Sequence, residues 1–94
     1  MLKLRCLNID ESVGDAYLLG YPMGLTPTEF RVLGEIARAE SIDADTLAQM
    51  CGLDARSRGN ISVHICSINR KAEIIGKRKL ILCKNSRYSL NEFM

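Results

Sequence analysis

The chain has 94 residues, 47% of them hydrophobic and 26% charged. That is the composition of one small folded domain, and it excludes a disordered chain and a barrel enzyme. The formal net charge is only +2, but residues 1–55 hold four basic against nine acidic side chains, a net of −5. Residues 56–94 hold nine basic against two acidic, a net of +7. A half that basic is the electrostatic footprint of a polyanion binder; the alternative is a face whose cations only maintain solubility.

No apolar run approaches the roughly 18 residues of a membrane helix. Lys3 and Arg5 place charges where a signal peptide would be apolar. A cytoplasmic protein with no membrane association is expected. The cysteines, Cys6, Cys51, Cys66 and Cys83, lie at least 15 residues apart, so no C-x-x-C pair exists. They read as small, reduced, mostly buried hydrophobes rather than as a zinc site or disulfides.

The first 25 residues read as a small antiparallel sheet. Residues 2–9 make one strand, Gly14 and Asp15 supply turn chemistry, 16–19 make a second strand, and 21–25 a third weakened by Pro22 and Gly24. Thr26-Pro27-Thr28-Glu29 has every part of a helix start: a capping threonine, a proline at the first helical position, and a glutamate three after the cap. Phe30, Leu33, Ile36 and Ala37 continue at helical spacing to about residue 40. Asp43 caps a short second helix over 44–51 with Leu47, Met50 and Cys51 inward, and Gly52 ends it. A third helix starts at Ser57 or Asn60 and ends at Gly76. Ile61, Ile65, Ile68, Ala72 and Ile75 form its continuous apolar stripe, with Val63, Cys66, Ser67, Arg70 and Glu73 on the opposite face. After the basic run Lys77-Arg78-Lys79, residues 80–83 and 88–90 read as a β-hairpin with Asn85 and Ser86 at its tip, flanked by Lys84 and Arg87.

Sheet, helix, short helix, long helix and hairpin is the order of an α+β winged helix-turn-helix, with a small N-terminal antiparallel sheet, three helices and a C-terminal β-hairpin wing. In such modules the helix after the turn enters the major groove and the wing meets the backbone or minor groove. The expected division is one domain over 1–94: sheet over 1–25, three-helix core over 26–76, wing over 77–94.

The residues also resemble a family. Leu25-Thr26-Pro27-Thr28-Glu29-Phe30-Arg31-Val32-Leu33 resembles the L-T-P-x-E-F-x-L-L start of helix one in OmpR/PhoB-type response-regulator effector domains. Ile61-Ser62-Val63-His64-Ile65, with Ile68 and Lys71 after it, resembles that family's V-D-V-H-I-x-x-L-R-x-K recognition helix. Tyr88-Ser89-Leu90 resembles its closing G-Y-R-L. The resemblance covers nearly the whole chain in order. It departs where the family carries arginines in mid-helix and this chain has Cys66, Ser67 and Asn69. It departs again where Ser62 replaces an acidic residue, and in a wing reading Leu82-Cys83-Lys84-Asn85-Ser86-Arg87-Tyr88. The segment 53–57 before the third helix is short for the family. A chain of 94 residues has no room for a receiver domain as well, so the module is either stand-alone or a piece of a longer regulator.

The resemblance implies sequence-specific binding of double-stranded DNA in transcription regulation, within a two-component system. Ser62, Val63, Cys66, Ser67 and Asn69 would face bases, asparagine being suited to adenine. Arg70, Lys71, Lys77, Arg78, Lys79, Lys84 and Arg87 would sit on phosphates, with Arg56 and Arg58 ahead of them. His64 is either a half-buried histidine bonded to a backbone carbonyl or, by resemblance, a phosphate contact, and Tyr88 packs on the core. Expected partners are duplex DNA, bound by pairs of a chain that is a monomer or weak dimer in solution, and RNA polymerase or another regulator. The competing reading is a protein-interaction module on the same scaffold with base readout lost, motivated by the missing arginines. No glycine-rich phosphate loop, metal spacing or nucleophile–base pair appears, so neither an enzyme nor a cofactor is expected.

Overall fold

The computed structural model describes residues 2–4, 7–39, 41–52 and 58–91, with side chains from residue 7 and, in the last stretch, from residue 61. Four short strands open the chain: β1 (Leu2–Leu4), β2 (Leu7–Asp10), β3 (Asp15–Leu18) and β4 (Tyr21–Pro22). They form an antiparallel meander in that order. The expected single strand over 2–9 is thus two strands, folded back so that Leu2 faces Ile9 and Leu4 faces Leu7. Side chains alternate as a half-buried sheet requires, with Leu7, Ile9, Ala16 and Leu18 buried.

The turns of this sheet rest on local chemistry. The Asp10 carboxylate accepts from both the backbone N–H and the hydroxyl of Ser12, at 3.0 and 2.6 Å. Between β3 and β4 both central residues, Leu19 and Gly20, have positive φ, as a two-residue hairpin turn demands. The Asp15 carboxylate then takes the N–H groups of Gly24 and Leu25, at 3.1 and 3.0 Å, and fixes the approach to the first helix.

That helix, α1 (Pro27–Arg38), starts with the expected capping box. The Glu29 N–H donates to Thr26 Oγ1 at 3.2 Å, and the Thr26 N–H donates to Glu29 Oε1 at 2.9 Å. Val32, Leu33 and Ile36 are its buried face. A two-residue strand, β5 (Ile42–Asp43), follows, and Asp43 caps α2 (Ala44–Met50) by accepting from the Thr46 N–H at 3.2 Å and its hydroxyl at 2.6 Å. Gly52, at φ 73, closes α2.

The long helix α3 (Arg58–Gly76) buries Ile61, Ile65, Ile68 and Ala72 against α1 and α2. Gly76 is its last residue, but the left-handed residue that caps it is Lys77, at φ 61, whose N–H donates to the Glu73 carbonyl at 2.9 Å. Then β6 (Ile81–Lys84) and β7 (Arg87–Leu90) pair antiparallel, with Asn85 and Ser86 both at positive φ between them. The hairpin is expected; its third strand is not. Ile42 pairs with Tyr88 and Asp43 with Arg87, so the wing is a three-stranded sheet in the order β5-β7-β6. Tyr88 is buried beneath it. Three helices between a four-stranded meander and a hairpin sheet make an α+β winged helix. No helix among the described residues is long and apolar enough to cross a membrane.

Candidate nucleic-acid interface

The outer face of α3 follows from the burial of the inner one. With Ile61, Ile65, Ile68 and Ala72 packed inward, the helical repeat turns Ser62, Val63, Cys66, Arg70 and Glu73 to solvent, and all five are exposed. Val63 and Ile74 are 63% and 77% exposed, high values for branched aliphatic side chains. Ser62, Val63, Cys66, Ser67 and Arg70 line a shallow depression of about 320 Å³ on this face.

Three residues expected at the interface hold the fold together. Asn69 uses both ends of its amide on β6: Nδ2 donates to the Ile81 carbonyl at 3.0 Å, and Oδ1 accepts from the Ile81 N–H at 2.8 Å. Those are the donor and acceptor that a bidentate contact with adenine needs. Lys71 reaches the other way, donating to the Gly24 carbonyl at 3.0 Å and to the Glu29 carboxylate. The Ser67 hydroxyl also hydrogen-bonds Glu29. Glu29 is the one buried charged residue among the described residues. Burial alone would raise its pKa, but the hydrogen bonds from Lys71, Ser67 and the Thr26 backbone, with the lysine charge, outweigh that and lower it to about 2. The capping box marks Glu29 in the sequence, but nothing local to Lys71 marks it as the partner.

Beyond α3 the cations are on the surface. Lys77, Arg78 and Lys79 are exposed along the connection to the wing, and Lys84 is exposed beside its tip. Arg87 is exposed as well, but its guanidinium is oriented: Nε donates to Ser41 Oγ at 2.9 Å and Nη2 to the Ser41 carbonyl at 3.1 Å. His64 is half-buried. Arg58 lies in the first turn of α3, its side chain outside the described set, and Arg56 lies outside the described residues. Of the three described cysteines only Cys51 is buried. Cys66 is exposed, as its place on the outer face of α3 predicts, and Cys83 is exposed on the wing hairpin, so the described thiols are not mostly buried as expected.

No protein-family model matches the chain, and no curated protein matches it. Among solved structures it superposes on a protein described as belonging to a novel family of redox sensors in the streptococci, evolved from two-component response regulators. The TM-score is 0.81 at 18% identity. The fold is shared with a response-regulator descendant. The match covers 98% of this chain and 44% of that one, so the chain spans less than half of that protein's length.

Proposed function

We propose that the chain binds duplex DNA as an OmpR/PhoB-type effector module acting in transcription regulation, with α3 in the major groove and the wing on the backbone or minor groove. The observation that carries this reading is the placement of charge. Arg70, Lys77, Arg78, Lys79, Lys84 and Arg87 all lie exposed on α3, its C-terminal connection and the wing, the elements that meet DNA in winged helices. The response-regulator ancestry of the structural neighbour supports a regulatory role. Phosphate contacts by these side chains dock the module, and the outer face of α3 is left to meet base edges.

Gel-shift titration across salt concentrations tests the reading. Six phosphate contacts predict a loss of affinity of roughly 10³-fold between about 50 and 200 mM salt. Absence of any duplex binding at the lower concentration would defeat it.

A further inference from the structure

We propose that α3 selects its site through thymine methyl groups, with Val63 and Cys66 as the reading side chains. The inference rests on the duplex-DNA reading above and names what the outer face of α3 recognises.

Two polar side chains bordering that face are engaged elsewhere. Asn69 is bonded to both backbone groups of Ile81, and the Ser67 hydroxyl is bonded to Glu29. What lies between Ser62 and Arg70 in the shallow groove is carbon and sulfur: Val63, 63% exposed, and Cys66, a thiol that behaves as a small hydrophobe. Ser62 and Arg70 can bond base edges at its two ends, but the Val63 and Cys66 stretch between them cannot tell base pairs apart by strong donors and acceptors. In the major groove, thymine alone among the four bases presents a methyl group. Val63 and Cys66 stand three residues apart, about 4.5 Å along the helix axis, close to the roughly 3.4 Å rise of one base-pair step. Arg70 on the same face, and Lys77, Lys79 and Lys84 beyond it, supply the positive charge that makes a nucleic acid, rather than an apolar protein surface, the complementary occupant.

Replacing thymine by uracil deletes the methyl and leaves every hydrogen-bonding group in place, so it isolates this contact. A duplex of about 20 base pairs, selected from a random pool by the full chain, is resynthesised with uracil at each thymine in turn. Loss of a contacted methyl weakens binding about fourfold, the equivalent of about 0.8 kcal/mol, at one or two neighbouring positions. Val63→Ser, on an exposed helix position, brings the thymine-to-uracil ratio at one of them to about one. Cys66→Ser does so at the neighbour and keeps the test open if the first variant misfolds. A selected duplex bound equally with thymine or uracil at every position would overturn the methyl inference alone, as would an unchanged ratio in both variants. Failure to retain any duplex from the pool at low salt would instead remove the DNA reading beneath it.

Discussion

Leu19 shows how much a single backbone position can hold back. It sits at φ 53 in the β3–β4 turn with its side chain 51% exposed. A leucine in the left-handed region pays a steric penalty that asparagine largely avoids, and burial there recovers little of it. Leu19→Asn is therefore expected to stabilise the fold by about 1 kcal/mol, read as a raised urea midpoint with an unchanged slope. Gly34 offers the same gain by another route. It lies in the middle of α1, and a Cβ added there meets only the Arg38 Nη1 atom, at the ordinary contact distance of 3.5 Å. Gly34→Ala should stabilise by about 0.5–1 kcal/mol through helix propensity, by the same measurement. Gly14, Gly20, Gly24 and Gly52 have positive φ, and alanine at any of them would be strained.

Between elements, Glu29 and Lys71 join the start of α1 to the second half of α3. The Glu29 side chain is 4% exposed and that of Lys71 29%, so removing one partner strands a buried charge. Lys71→Met should destabilise by about 3 kcal/mol in urea unfolding, more than any exposed cation such as Lys84, for which a change within about 0.5 kcal/mol is expected. The pair also sets a pH dependence. A carboxyl held at about 2 when folded and 4.5 otherwise contributes stability that is complete above 4.5 and is lost as pH falls toward 2. Stability should drop by about 2 kcal/mol from this group between pH 7 and pH 3. Glu29→Gln should remove that component. The smaller slope due to Asp10 and Asp43 remains, since hydroxyl hydrogen bonds from Ser12 and Thr46 lower their pKa values. Asn69→Leu should cost about 1–3 kcal/mol by leaving both Ile81 backbone groups unmatched.

These same residues mark where the sequence stops being legible. The capping box at 26–29, the apolar stripe of α3 and the hairpin tip at 85–86 are local patterns, and the structure has them at the expected places. Lys71 and Asn69 read equally well as surface residues, because their partners lie 42 and 12 positions away. Between Leu4 and Leu7 the sequence has no glycine, proline or asparagine, so the apolar run hid two strands. β5 is two residues long and exists only through its pairing with β7.

At the scale of the whole molecule, charge is divided along the chain, and the basic part coincides with α3 and the wing. Each surface cation on phosphate should contribute separately. Lys84→Ala should lower affinity for all sequences alike and reduce the salt slope by about one. A single module buries only about 600–1,000 Å² on DNA, little for selecting one site in a genome. Sedimentation with an operator-length duplex is therefore expected to show two copies per duplex and a monomer or weak dimer without it. A tight 1:1 complex would contradict this.

The pairing of Ile42 with Tyr88 joins positions 46 residues apart, with α2 and α3 between them. Closing so long a loop is entropically unfavourable until the intervening helices are compact. The β6–β7 hairpin is closed by its own two-residue turn, whereas its junction with β5 is a long-range contact that needs the helices between them in place. The three-stranded wing is therefore complete only in a chain whose α2 and α3 are already compact. Without that junction Lys84 and Arg87 would ride on a hairpin with no fixed orientation, so the proposed engagement of DNA would require the completed sheet.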